Sequence, residues 1–505
     1  MLKSVMLKVV TAAAAFGVAT PSSAAWVQAT SEHFIVYGDV KEADAREFAE
    51  RLERIDKLLR FVTSTPDTAA ERANKVTVFV VPDMNSVQRL YGGGGGDVAG
   101  FYRPDAQGAL AVTPRSMAEM SEYMRPQEIL FHEYTHAILI SSAKAAYPRW
   151  LNEGLAEFFG TVENRPDGSL VLGGLPMVRG FALAAQNQMS AEELLTADRR
   201  KLNSTDVGHL YARGWALIHM LMLNKDRAGQ LDTYIKLVSD GVPSLTAGQQ
   251  AFGDLGKLDS DLRVHLRARK FPSILVPASK VSGGKASVRL MGACEAKIMP
   301  TRIRSAVGVN DKTAGGVALA ARAAAVGCEN DAFVQRTLAE TEYDAKNNSQ
   351  SAAAADRALA ADPNNVMAMV YKGRVFARAG DWGNARKWLI RANRLNPDYA
   401  LPLVLYHDTF MEAKQAPSAG AQNGLLRALV LVPQDANVRI RVIRAMVASG
   451  DLATARAALA PLALSPHAKS DGPPAKILKM IDDKVATPAI IAEMDKAKWS
   501  EVSKF

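Results

Sequence analysis

The chain has 505 residues, 48% of them hydrophobic and 22% charged, and a formal net charge of +9. That length exceeds one ordinary domain and that balance excludes a disordered chain, so two or three folded domains are expected. No long Lys/Arg run with interleaved aromatics occurs, which argues against nucleic acid as a partner and leaves the basic excess as a solvated surface.

In chain order, residues 1–25 form a unit of their own. Lys3 and Lys8 precede an apolar stretch from Val9 to Val18, and the small residues Ser22, Ser23, Ala24 and Ala25 follow. This is the layout of a secretory signal peptide, with an uncleaved anchor as the alternative. No later segment approaches ~18 consecutive apolar residues. A secreted or periplasmic protein with no stable membrane span after signal removal is therefore expected. From Trp26 onward, His33 to Tyr37 reads as a strand. Phe48, Leu52, Ile55, Leu58 and Leu59 recur at helical spacing and predict a helix over 42–61. The β-branched run Val76 to Val81 predicts a second strand, stopped by Pro82. The run Gly92 to Gly96 lacks the Gly-Lys-Ser/Thr ending of a phosphate loop and reads as a flexible loop. A third strand is expected near 109–112, with 108–112 as the edge along which an extended peptide would lie. Helices follow over 127–140 and 149–160, then a Gly/Pro-rich hairpin over 161–178, then helical patterns to about Arg269.

Residues 273–310 read as a connector holding one or two strands, Ile274-Leu275-Val276 among them. The two cysteines, Cys294 and Cys328, can pair in an oxidising compartment or stay apart as small, half-buried residues. Over 311–470 the chain becomes alanine-rich, and Pro363, Pro397, Pro433 and Pro466 end helical stretches 34, 36 and 33 residues apart. Gly373, Phe376, Ala385, Leu389 and Ala392 then supply a close helix contact, a core aromatic, a small residue, a core apolar residue and a second small residue. Ala421, Leu425 and Ala428 repeat part of the pattern. This region resembles the tetratricopeptide repeat family, which implies a curved helical stack that binds a protein partner. An irregular helical bundle is the alternative, and 471–505 reads as a mixed tail.

The chemistry concentrates in two short stretches. In Leu130-Phe131-His132-Glu133-Tyr134-Thr135-His136, the histidines are four apart and share one helix face, able to present two imidazoles to one ion. Glu133 lies beside them, placed to reach water rather than metal. In Trp150-Leu151-Asn152-Glu153-Gly154-Leu155-Ala156-Glu157, Glu153 follows His136 after sixteen residues, enough for a turn back that brings a carboxylate to the site. Glu157, one turn on, can accept the outer N–H of a ligand histidine.

His132-Glu133-x-x-His136 with Asn152-Glu153-x-x-x-Glu157 resembles the gluzincin metallopeptidases, and Trp150 to Gly154 is most similar to their aminopeptidase N-like form. The resemblance implies a Zn2+ cofactor with His132, His136 and Glu153 as ligands and Glu133 as catalytic base. Glu157 stands where many relatives have Asp. The Gly-x-Met-Glu-Asn stretch that holds a substrate amino terminus in the aminopeptidases does not occur, which points to an endopeptidase-like or atypical enzyme. Tyr211, in the run Gly208 to Trp215 with His209 and Arg213 beside it, is the candidate donor to a developing oxyanion, or else a core aromatic of an apolar helix.

The expected architecture is an α+β zincin-like peptidase domain over 26–272, followed by an all-α tetratricopeptide-like repeat region. The expected activity is hydrolysis of a peptide or protein substrate. The competing expectation is an envelope interaction scaffold whose zinc site is structural or inactive.

Overall fold

The computed structural model describes residues 26–92, 98–115, 126–142, 147–185, 189–199, 202–268, 270–463 and 472–499. The expected signal segment, Gly93 to Gly96 of the glycine run and Pro466 lie outside the described residues.

The N-terminal region is built on strands β1 (Trp26–Thr30), β2 (Phe34–Asp39), β3 (Val76–Val81), β4 (Phe101–Arg103) and β5 (Leu110–Pro114). A short hairpin, β6 (Glu163–Asn164) and β7 (Leu170–Leu172), follows, and then β8 (Ile274–Val276) and β9 (Ser287–Leu290). The main sheet runs in the order β4-β5-β3-β2-β1-β9, and β8 joins β6 and β7 in a second sheet. β2, β3 and β5 are parallel, whereas β4 pairs antiparallel with β5. Two sequence expectations change here. β1 precedes the strand expected as the first, because Val27 and Ala29 alternate into the core while their neighbours stay half-buried. The strand expected as a peptide-binding edge, β5, is interior and buried along its whole length, and β4 is the edge.

The helix Glu42–Thr63 lays Ala45, Ala49, Leu52, Ile55, Leu58 and Leu59 on the core. The same face buries Glu53, Asp56 and Arg60, which need partners to be tolerated there. Arg60 Nε donates to Asp56 at 2.8 Å, His33 Nδ1 lies 2.9 Å from Glu53 Oε2, and the Tyr134 hydroxyl donates to Asp56 Oδ1 at 2.6 Å. Burial opposes charging of His33, but Glu53, Asp56 and Asp67 outweigh it and push its pKa up to about 9. This network ties the histidine-bearing helix, Pro126–Ser142, to the helix beneath it.

The segment expected as a connector with one or two strands carries two, β8 and β9, and packs on both halves. β9 closes the main sheet against β1, and the helix Ala293–Ala306 packs Met299 and Ile303 into the cluster of Tyr37, Phe79 and Val112. From there the chain is helical, with each helix packed on the next through 314–325, 332–344, 348–361, 366–378, 382–395, 400–412, 419–431, 436–449 and 452–463. Ala385, Leu389 and Ala392 are buried, and so are Ala421, Leu425 and Ala428. A Cβ on Gly373 would stand 2.9 Å from Leu389, so the close helix contact expected there is real. Phe376 is only half-buried, and Tyr371 is the aromatic that fills the core. The expected tail adds two more helices, Pro473–Asp482 and Thr487–Lys496, whose Ile477, Ile481, Ile490 and Met494 join the same apolar cluster.

Cys294 and Cys328 form a disulfide across 34 residues, tying the first helix of the stack to the turn after the second. Closing a loop of that length contributes about 2–4 kcal/mol by restricting the unfolded chain. Replacing both cysteines with serine is expected to lower stability by that amount in denaturant melts. A melt identical to wild type would show that the crosslink constrains nothing.

Candidate metal centre

The histidine helix, Pro126–Ser142, buries Leu130, Phe131, Tyr134, Ala137, Ile138 and Leu139, which leaves one half-buried stripe for His132, Glu133 and His136. The next helix, Arg149–Gly160, is buried from Trp150 to Gly160. A helix that deep carries Glu153, at 0% exposure, straight to the imidazoles. The third wall is the helix Ser204–Leu223, which brings Tyr211. Two glycines let these walls approach. A Cβ on Gly154 would stand 2.7 Å from the Gly214 carbonyl oxygen, and one on Gly214 would stand 2.9 Å from the Trp150 carbonyl oxygen. Only residues without side chains allow backbones this close.

The three donor atoms make a compact triangle. His132 Nε2 and His136 Nε2 are 3.2 Å apart, and Glu153 Oε2 lies 3.4 Å from the first and 3.6 Å from the second. Two ligands at about 2.0–2.1 Å from one zinc ion and at a tetrahedral angle are about 3.3–3.4 Å apart. The donor set, two imidazoles and one carboxylate, and its spacing thus fit zinc. Burial opposes ionisation of Glu153, yet His136 and His132 hold its carboxyl well below the usual range. Burial also works against charging His136, and the adjacent Glu153 overrides it and pushes the imidazole up to about 9.

The outer nitrogens are held as well. His136 Nδ1 lies 3.0 Å from Asn152 Oδ1, which accepts its N–H and leaves Nε2 for a metal. Glu157 Oε1 lies 3.6 Å from His132 Nδ1, longer than a hydrogen bond, and accepts from Arg179 Nη2 at 2.7 Å. Arg179 also sits 4.6 Å over the ring of Tyr211, which is parallel to His132 with ring centres 6.1 Å apart. Burial first, then the charge of Glu153, which the hydroxyl faces, raise the Tyr211 pKa above the ordinary tyrosine range. The phenol stays protonated at neutral pH and can donate a hydrogen bond. Glu133 is half-buried, and its charge is felt by His136 and by the phenol of Tyr102 on β4.

The structure therefore brings His132, His136, Glu153, Glu157 and Tyr211 to one place. Arg213, expected beside Tyr211, turns away to Asp259. Three contributors escaped sequence reasoning. Asn152 lay inside the recognised motif but carried no signal for its partner. Arg179 and Tyr102 sit in a single 3-10 turn, Met177–Arg179, and a three-residue strand, where no periodicity marks them.

A family described as "Protein of unknown function (DUF1570)" matches residues 129–244. That span takes in both motifs, Arg179 and Tyr211. No curated protein matches the chain.

Gly154→Val would force the 149–160 and 204–223 helices apart and should cost about 1–3 kcal/mol by overpacking. Gly208→Ala, on the same Tyr211 helix but with open space at the Cβ position, should be neutral or stabilising by up to about 1 kcal/mol. Thermal melts of the two variants check this, and equal losses would contradict the role given to the close approach.

Proposed function

We propose that the chain is an exported zinc-dependent peptidase of the gluzincin type, with tetratricopeptide-like repeats on its C-terminal side. The observation that carries the reading is the triangle of His132, His136 and Glu153, whose sides match a tetrahedral zinc site. Three converging protein donors are also the number found in catalytic zinc sites, whereas structural sites are usually closed by four. When bound, zinc polarises a peptide carbonyl and acidifies a water molecule.

The rest of the chemistry belongs to the protein. Glu133 stands beside the ligands without being one of them, and takes a proton from the attacking water and returns it to the leaving amine. Tyr211, kept neutral by its surroundings, donates to the oxygen that gains charge as the carbonyl carbon becomes tetrahedral. Asn152 fixes the orientation of His136, and Arg179 neutralises Glu157 behind His132. β4, as the edge of the main sheet, is the strand to which an extended peptide backbone can add. The Cys294–Cys328 disulfide suits a secreted or periplasmic location. Among the described residues, no helix is long and apolar enough to cross a membrane.

Glu133→Gln is the direct test of chemistry. The variant should bind zinc as wild type does, while hydrolysis of a mixed-sequence fluorogenic peptide library falls roughly 10²–10⁴-fold. Undiminished hydrolysis would remove Glu133 from the mechanism. Wild type that holds zinc but cleaves nothing would favour the scaffold reading.

A further inference from the structure

The loop joining β4 to β5 does not end in solvent. Asp105 Oδ1 accepts the Gln107 N–H at 2.8 Å, and Gly108, at φ +125°, completes a turn that other residues adopt only with strain. The tip of this turn enters the helical stack. Ala106 is buried in the same apolar cluster as Leu401, Val432 and Ala436, which belong to the stack. The Tyr399 hydroxyl donates to the Gln107 carbonyl at 3.1 Å, and the Asp435 carboxylate lies at the backbone N–H of Ala106. At the base of the loop, Arg103 donates to the Ala306 and Val307 carbonyls, where a cation also meets the negative end of the helix Ala293–Ala306. Tyr102, between these anchors, buries its hydroxyl beside the cavity that Gln434 of the stack also lines.

We propose that the inner face of the helical stack is an intramolecular clamp that holds the β4–β5 hairpin against the histidine helix. The stack thereby becomes a wall of the metal-centre cleft. Tyr399 and Asp435 act as positioning residues through the hairpin, touching neither metal nor substrate. The seam beneath the hairpin cannot do this alone. A cavity of about 220 Å3 separates Tyr102, Tyr134 and Ile138 from the turn at Leu431 to Gln434, so the grip resides in the loop tip rather than in close packing below it. The consequence for catalysis rests on the peptidase reading, and the clamp itself does not.

Hydrogen–deuterium exchange on the full-length zinc-loaded protein tests it. In wild type, amides of 101–112 should exchange slowly despite their place in a loop and at a sheet edge. Ala106→Arg, a wedge at the tip, should speed their exchange at least tenfold with zinc content unchanged. Tyr399→Phe, which removes one hydroxyl and keeps the ring, should give a smaller rise. Asp435→Asn, which keeps an acceptor oxygen, should behave as wild type. On a cleaved peptide, Ala106→Arg should lower kcat at least tenfold while KM stays within about threefold. Fast exchange of 101–112 in wild type, or exchange unmoved by both Ala106→Arg and Tyr399→Phe, overturns the clamp. Raised exchange with wild-type kcat overturns the positioning role. If no form of the protein cleaves peptide, the peptidase reading fails, and the exchange rates still decide the clamp.

Discussion

Glu153 is a carboxylate with no exposure to water, on a helix buried along nearly its whole length. A charge in that position costs several kcal/mol unless other charges and hydrogen bonds compensate it. The compensation available is His132, His136 and the Tyr211 hydroxyl, which is why these groups converge. Each depends on a further layer. The imidazoles are carried by a helix pinned through Tyr134 to the buried Asp56–Arg60 pair. The phenol is brought in by a helix that can approach only because Gly154 and Gly214 have no side chains. The outer groups then add Asn152 Oδ1 as acceptor for His136 Nδ1, and Arg179 as the cation beside Glu157.

The same accounting explains which parts were legible in the sequence. The spacing of four between the histidines, and of four between Glu153 and Glu157, encodes a shared helix face, because helical geometry turns spacing into direction. The long helix after β2, the strand at 76–81 and the hairpin near 161–178 follow from periodicity and turn residues in the same local way. What failed was non-local. β5 and a true edge strand look alike from their own residues, and only the pairing of β4 beyond β5 separates them. In 273–310 the run Ile274 to Val276 reads as a strand from its own residues, but nothing local says that β9, short and largely exposed, closes the sheet beside β1. Phe376 matched a repeat position while Tyr371, five residues earlier, took the core.

The helical stack shows a similar limit. Its small residues and period were visible, since Ala385, Ala392, Ala421 and Ala428 are where helices must touch. Nothing in those residues said what the inner face holds. The contacts from Tyr399, Asp435 and Phe333 reach back to the sheet, so the two regions share one set of interactions. A substrate approaching β4 would then meet a cleft walled partly by the stack.

The most direct measurement is elemental analysis of zinc on purified protein, wild type beside Glu153→Ala, after both are supplied with zinc at neutral pH. The account predicts about one zinc per chain in wild type and its loss in the variant, with circular dichroism showing both folded. Wild type that stays free of metal under these conditions would contradict the assignment of the buried triangle as a zinc site.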